Sequence, residues 1–180
     1  MKFHISHIKD CEREFGSDKN LTKQQQISSW AKQMVLKYVG LPLEIVYKSN
    51  GKPFFKNNNT IKLSISHTYD YVAVAISNRE IGIDIEHLRQ NKQEIAKRFF
   101  TNEENNFLSS VNTDSYDFYF TKLWTLKEAY SKCIGAGISG TFSQITIDVS
   151  TLSVKNDKRD IELTSIFDSE TELFISTCEI

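Results

Sequence analysis

The alternation of hydrophobic and polar residues in the first part of the chain predicts a strand followed by a helix. Residues 2–8 alternate, as the residues of a half-buried strand do. Residues 10–21 are charged and irregular, which predicts a loop. Thr22 then begins a run with apolar residues at helical spacing, and Gln25 follows it at the spacing of a capping box. Gly40 is the expected end of this helix.

The next stretch predicts four strands in succession. Residues 43–48 are a short strand candidate, and residues 61–67 alternate apolar and polar side chains. Residues 71–77 are almost continuously apolar, which is typical of a buried strand. Residues 81–86 follow after a tight connection, so we expect an antiparallel meander in which the last of these strands is the third member.

Beyond these strands the apolar spacing becomes helical. Residues 94–100 predict one helix, Thr101 begins another with Glu104 at capping-box spacing, and residues 114–134 predict one long helix. The alternating segments that close the chain are residues 142–149, 151–155, 160–166 and 172–178. The acidic residues of this last part predict a solvated sheet edge. The order strand, helix, strands thus occurs twice, which predicts an α+β fold of two similar halves that meet near residue 80.

Composition narrows the class of protein. The chain has 180 residues, of which 39% are hydrophobic and 25% charged, as in soluble globular proteins. A net charge of −1 argues against a general nucleic-acid or membrane-surface protein, so an anion site must be local. Cys11, Cys133 and Cys178 lack paired spacing, which favours reduced cysteines and a cytoplasmic protein. Neither a signal peptide nor a membrane span is expected.

The segment Ile81–Glu86 carries two carboxylates. Alternate residues of a strand point to the same side, so Asp84 and Glu86 project together. Adjacent carboxylates repel each other, and Mg²⁺ between them would remove that cost. An ordinary amphipathic strand with a polar outer face is the favoured interpretation of this segment alone. Gly82 would permit close backbone approach.

The long helix adds a third carboxylate. Glu128 and Lys132 are four residues apart and therefore share one helix face, while Lys127 lies about 100° around the axis. The simpler interpretation is a surface pair that stabilises the helix by about 0.2–0.5 kcal/mol. Combined with Asp84 and Glu86, these residues form a plausible site for Mg²⁺ and a phosphate group.

These motifs, in this order, resemble those of the 4′-phosphopantetheinyl transferases, in particular the longer surfactin-synthetase activator type. The resemblance covers about residues 50–140. The segments that carry it are Gly51-Lys52-Pro53, Ser64-Ile65-Ser66-His67, Ile81-Gly82-Ile83-Asp84-Ile85-Glu86, Glu94–Phe100 with Glu104, and Trp124-x-x-Lys127-Glu128-Ala129-x-x-Lys132.

The resemblance implies a fold and a reaction. The fold is a monomer of two α+β halves related by a pseudo-two-fold axis, here residues 1–80 and residues 81–180, with the metal site in the second half. Coenzyme A lies between the halves. Its 4′-phosphopantetheine arm moves to a serine hydroxyl of an apo carrier protein in a Mg²⁺-dependent reaction, and adenosine 3′,5′-bisphosphate leaves.

The same resemblance implies roles around the metal. Asp84, Glu86 and Glu128 would hold Mg²⁺ at the pyrophosphate of coenzyme A. Glu128 is also the better candidate for the general base that accepts the serine proton, and the sequence does not separate the two roles. Lys132 would contact a pyrophosphate oxygen and act in catalysis.

Five further positions match the family. Ser66 and His67 would bind phosphate groups, Lys52 would lie beside the nucleotide, and Lys127 would contact phosphate. Glu104 matches a family acidic position and is a candidate catalytic residue, but its capping-box spacing explains it equally well.

Partners and alternatives complete the expectations. The carrier protein could be of the peptidyl, acyl or polyketide class, and because carriers are acidic we expect a local basic patch at Lys92, Lys97 and Arg98. Nucleic acid and membrane are not expected partners. One alternative is a non-catalytic module that binds coenzyme A or a carrier protein. Another is an unrelated Mg²⁺-dependent phosphohydrolase that uses the same three carboxylates.

Overall fold

The structure is a computed structural model, and it describes residues 1–90, 92–137 and 142–180. The first part of the chain contains β1 (Lys2–His7), α1 (Ile8–Phe15), α2 (Lys23–Val39), β2 (Ile45–Tyr47), β3 (Pro53–Phe55), β4 (Lys62–His67) and β5 (Tyr71–Ser77). The second part contains β6 (Ile81–His87), α3 (Gln93–Phe99), α4 (Asn102–Ser110), α5 (Thr113–Ile134), β7 (Thr146–Asp148), β8 (Ser153–Lys155), β9 (Glu162–Asp168) and β10 (Leu173–Glu179). This mixture of helices and antiparallel sheets confirms the α+β class.

The two parts share the order strand, helices, hairpin and two strands, with two helices described in the first part and three in the second. In the first, β1, β5 and β4 form a three-stranded antiparallel sheet with β5 in the middle. In the second, β6, β10 and β9 form a sheet with β10 in the middle. Each part runs from one strand through helices and a short hairpin, β2–β3 or β7–β8, to its last two strands. The first strand of each part therefore pairs with the last strand of the same part.

Each sheet packs on a long helix, and the two sheets share a third apolar layer. The core of the first part lies between α2 and its sheet, around Trp30, Met34 and Phe55. The core of the second part surrounds α5. Between the two sheets, residues of β5 such as Ala73 face residues of β6 such as Ile83 in a further buried cluster.

The helix ends follow the sequence signals. Thr22 and Gln25 form the expected capping box at the start of α2, and Thr101 and Glu104 form the other at the start of α4. Gly135, in the left-handed conformation with a φ of 72°, ends α5. These boundaries confirm the predicted helix ends. Such ends can be predicted from sequence because capping depends on residues close together in the chain.

Three expectations are wrong. The predicted meander does not form, because β6 pairs with β10 rather than with β5. The helix α1 extends as far as Phe15 into the predicted loop at 10–21; it buries only Cys11 and is too short for a clear apolar period. The acidic end of the chain is not wholly solvated, since Glu179 is buried and accepts a hydrogen bond from Ser77.

Within the described part of the chain, no helix is both long and apolar enough to cross a membrane.

Candidate active site

The carboxylates of β6 face a helix rather than solvent. Gly82, Asp84 and Glu86 point to the same side of the strand, and α5 covers that side, so the Asp84 residue is only 6% exposed. A Cβ added to Gly82 would lie 2.6 Å from the backbone nitrogen of Cys133 and closer still to the carbonyl oxygen of Ala129. The absence of a side chain at Gly82 thus permits the close approach expected from the sequence, and the interpretation of a polar outer face is wrong.

Asp84 lies in a hydrogen-bonded group drawn from three elements. Its Oδ1 accepts from the Nζ of Lys132 at 2.7 Å and from the Oγ of Ser66 at 2.7 Å. The same Ser66 Oγ accepts from Lys132 at 2.9 Å and from the backbone N–H of Ile85. The strands β4 and β6 and the helix α5 therefore meet at this carboxylate, which is what brings together residues far apart in the chain.

Glu86 pairs with a residue that the sequence motifs did not single out. The guanidinium of Arg89 donates to the Glu86 carboxylate and lies 4.7 Å from the centre of the Trp124 ring. The backbone N–H of Arg89 donates to Thr121 Oγ1 at 2.9 Å. The signal available in the sequence was a basic residue three positions after a candidate ligand, but stacking on Trp124 depends on the tertiary structure.

The surroundings of Glu128 raise the pKa of its carboxyl group. Burial raises the pKa of Glu128 to about 7, and the negative charge of Asp84 adds to this effect. Lys132 and Arg89 act in the opposite direction on that pKa, while Glu86 raises it further. Because Asp84 and Glu86 both act on Glu128, the three predicted ligands lie within electrostatic range of one another.

The donor set suits a hard divalent cation. Carboxylate oxygens are the ligands that Mg²⁺ prefers, and a cation would relieve the repulsion that raises the pKa of Glu128. Among the described residues, no group of three or more histidine, cysteine, aspartate or glutamate side chains is already arranged tightly enough to hold a metal. Lys132 and Arg89 instead neutralise Asp84 and Glu86. The chemistry of the donors therefore fits, although metal binding would have to rearrange these ion pairs.

A cleft of about 180 Å³ opens beside this group, between the two parts of the chain. Its lining includes Asn50, Lys52 and Ser64 from the first part and Glu128, Lys132 and Gly135 from α5 and its end. An anionic ligand in this cleft would meet the ammonium group of Lys132, since that side chain is 29% exposed.

The remaining predicted residues occupy different surroundings. His67 ends β4 on the surface, where its Nε2 lies 2.9 Å from the Nε2 of Gln24. The ammonium of Lys52 hydrogen-bonds to Glu80 at 2.5 Å and to the carbonyl oxygen of Cys133. His67 is thus open to a ligand, whereas Lys52 already has protein partners.

Glu104 and Lys127 form a closed ion pair. The Nζ of Lys127 lies 2.6 and 2.7 Å from the two carboxylate oxygens of Glu104, and the side chains are 0% and 1% exposed. Glu104 also accepts from the backbone N–H groups of Thr101 and Ile147. Lys127 points away from Glu128 around the helix, as the spacing indicated. Both groups are fully buried and already paired in this arrangement, and the contact of Lys127 with phosphate and the catalytic role of Glu104 stay predictions.

Three carboxylates and a lysine beside a cleft form a donor set that suits a divalent cation together with a phosphorylated ligand. Residues 80–176 match the family model of the 4′-phosphopantetheinyl transferase superfamily. The chain belongs to that superfamily.

The chain is also similar in sequence to curated 4′-phosphopantetheinyl transferases. The 4′-phosphopantetheinyl transferase psf-1 of Bacillus pumilus is 36% identical over 113 residues, which are 61% of this chain and 48% of the relative. The enzyme gsp of Aneurinibacillus migulanus is 34% identical over 135 residues, or 72% of this chain and 56% of the relative. Sfp of Bacillus subtilis strain 168 is 34% identical over 131 residues, with shares of 72% and 55%. The chain therefore spans about half the length of these relatives.

Proposed function

We propose that this protein transfers the 4′-phosphopantetheine arm of coenzyme A to a serine hydroxyl of an apo carrier protein. The observation that carries the proposal is that Glu128 and Lys132 line the cleft while Lys132 also binds Asp84, and that all three lie on the segments that match the superfamily. The relatives are named 4′-phosphopantetheinyl transferases, which supports transfer of this group.

The residues of the site suit the steps of such a transfer. The serine oxygen forms a bond to the β-phosphorus, the bond from that phosphorus to the bridging oxygen breaks, and adenosine 3′,5′-bisphosphate leaves. Without a bound cation the pKa of Glu128 is about 7, which allows this carboxylate to accept the serine proton near neutral pH, and a cation would lower that pKa. Lys132 carries a positive charge to the pyrophosphate oxygens, where negative charge accumulates.

A divalent cation would be held by Asp84, Glu86 and Glu128, and when bound it would stabilise the charge on the leaving phosphate. Mg²⁺ is the ion that we propose. Glu128 could be a ligand, the base or both. Ser66 and His67, which lie at the end of β4, would bind phosphate oxygens of coenzyme A. Docking of an acidic carrier at Lys92, Lys97 and Arg98 stays a prediction.

We further propose that residues 1–80 and 81–180 are two halves of one domain, related by pseudo-two-fold symmetry. The support is their common order of elements and the common strand order of their sheets. A monomer is the simplest assembly, because the cleft is lined by both halves of one chain. The three free cysteines favour a reducing compartment such as the cytoplasm.

The test is incubation of the protein with coenzyme A, Mg²⁺ and several apo carrier domains, followed by mass spectrometry of each carrier. We expect a mass gain of one phosphopantetheine group with at least one carrier. Asp84→Ala and Glu128→Ala should each lower the rate by at least about 100-fold, since each removes a group that acts in the transition state. Glu44→Ala, which removes an exposed carboxylate paired only with Lys56 on the surface, is the matched control.

The outcomes separate the alternatives. Binding of coenzyme A without a mass gain on any carrier would favour the non-catalytic module. Release of free phosphopantetheine without a carrier would favour the phosphohydrolase. Full transfer activity in Asp84→Ala would remove the site as described.

A further inference from the structure

The turn between β2 and β3 contacts the C-terminal end of α5 across the cleft. This turn comprises Ser49, Asn50, Gly51 and Lys52, with Gly51 in the left-handed conformation at a φ of 83°. Its backbone is closed by hydrogen bonds between Lys48 and Lys52 and between Gly51 and Lys48. A rigid turn of the first half thus lies against the helix that carries Glu128 and Lys132.

Asn50 uses both ends of its amide group. Its Oδ1 accepts from the backbone N–H of Lys52 at 3.2 Å, which fixes the orientation of the side chain. Its Nδ2 donates to the carbonyl oxygen of Gly135 at 2.6 Å. A Cβ added to Gly135 would lie 2.8 Å from that nitrogen, so the glycine leaves room for the contact.

Lys52 joins the same helix end to the start of β6. Its ammonium donates to the carbonyl oxygen of Cys133 and to Glu80, which directly precedes β6, and its side chain is only 10% exposed. Lys62 on β4 also pairs with Glu80, at 3.3 Å. Burial would raise the pKa of Glu80, but the hydrogen bond and the charge of Lys52, with those of Lys62, lower it below its ordinary value. The carboxylate is therefore an anionic partner that holds Lys52 in place.

The C-terminal end of any helix needs hydrogen-bond partners of this kind. The last carbonyl groups of a helix have no partner within the helix, and a positive charge at that end interacts favourably with the helix dipole. Gly135 and Ala136 both donate to the carbonyl of Ser131, while Lys52 and Asn50 satisfy two later carbonyls. The end of α5 is thus capped from within and from the other half of the molecule.

We infer that Lys52 and Asn50 are positioning residues, which hold the end of α5 so that Lys132 keeps its place beside Asp84. Lys132 directly precedes Cys133, whose carbonyl Lys52 binds, and Asp84 lies four residues after Glu80, the other partner of Lys52. One ammonium group therefore links the start of the strand to the end of the helix of the site. The consequence for catalysis rests on the proposed function, whereas the consequence for the helix end does not.

The experiment compares the wild type with Lys52→Met, Lys52→Arg and Asn50→Ala, with Lys56→Met as the matched control. Lys56 belongs to an exposed pair with Glu44 and contacts neither α5 nor β6. Amide hydrogen exchange of Gly135 and Ala136, followed by NMR, reports on the helix end. The rate of phosphopantetheine transfer at varied coenzyme A concentrations reports kcat and KM.

In Lys52→Met we expect exchange of these amides to accelerate about tenfold or more, because the contact with the Cys133 carbonyl and the contact with the Glu80 carboxylate are lost together. We expect kcat to fall about tenfold and KM for coenzyme A to change less than about threefold. Lys52→Arg keeps the charge and should recover most of both losses, Asn50→Ala should show a smaller acceleration, and Lys56→Met should show none.

Unchanged exchange in both Lys52→Met and Asn50→Ala would overturn the proposal. Unchanged exchange together with a raised KM would assign Lys52 to direct contact with the nucleotide and would also overturn it. If Lys52→Met does not fold, Asn50→Ala decides by the same exchange measurement. If neither the wild type nor any variant transfers phosphopantetheine, the proposed function fails. The exchange rates still decide whether Lys52 and Asn50 hold the end of α5.

Discussion

Glu128 shows how burial and neighbouring charges act on a single residue. Its pKa of about 7 results first from burial and then from the charges of Asp84 and, more weakly, Glu86. Neither cause is legible in the motif that contains Glu128, because both depend on residues from β6. The folded protein therefore holds a proton on this group more tightly than the unfolded chain, whose glutamates titrate near 4.3.

This difference predicts that Glu128 destabilises the fold as the pH rises. The pKa of Glu128 is raised in the folded state. The contribution of Glu128 to the free energy of unfolding therefore falls between about pH 4.5 and pH 7 and is constant above pH 7. Glu128→Gln removes the ionisation, so we expect it to increase the free energy of unfolding by about 1–3 kcal/mol at pH 8 and by almost nothing at pH 4.5.

Urea denaturation in the presence of a chelator, at both pH values, measures this effect. Glu94→Gln provides the control, because Glu94 is an exposed partner of Lys97. If the stability difference between the wild type and Glu128→Gln were the same at pH 4.5 and at pH 8, the raised pKa of Glu128 would be contradicted.

At the scale of elements, the contact between β6 and α5 determines the geometry of the site. The strand approaches the helix backbone at Gly82, two residues before Asp84, and the helix passes within reach through Ala129 and Cys133. This spacing is what lets the side chain of Lys132 reach Asp84.

Gly82→Ala should disrupt this contact. The added methyl group would meet backbone atoms, which cannot rotate away, so we expect the free energy of unfolding to fall by about 3 kcal/mol or more. Gly40→Ala is the comparison, since nothing lies within 4 Å of its added Cβ and only its left-handed conformation (φ 68°, ψ 17°) opposes the change, at a cost of about 1 kcal/mol. Thermal and urea denaturation measure both, and equal losses in the two variants would show that the close approach has no special cost.

At the scale of the whole molecule, the buried layer between the two sheets joins the halves into one unit. Ala73 and Ala75 of β5 and Ile81, Ile83 and Ile85 of β6 are at most 1% exposed, and they belong to one cluster. Separation of the halves would expose this surface to water, which is unfavourable. The halves should therefore unfold together.

Two tryptophans allow this to be measured, because Trp30 lies in the core of the first half and Trp124 in that of the second. In Trp30→Phe and in Trp124→Phe, the fluorescence of the remaining tryptophan should follow the same urea transition as the far-UV circular dichroism. Transitions with clearly different midpoints within either variant would show that the halves unfold independently.

Much of the fold was predictable because its signals are local. The capping boxes at Thr22 and Thr101 and the glycine at 135 fixed the ends of three helices, and alternation located the long strands. The pairing of β6 was not predictable in this way, since its hydrogen bonds go to β10 at the other end of the chain. Periodicity tells which residues face a core, and it does not tell which strand lies alongside.

The sequence by itself determined the α+β class, the carboxylates of β6 and their likeness to one superfamily, since these depend on residue type and spacing. Only the tertiary structure decided which matching residues share one site. It brought Lys132 and Ser66 to Asp84, and it buried Glu104 and Lys127 together in a separate pair. The physical reason is that burial and charge neutralisation depend on distances between elements, and packing alone sets those distances.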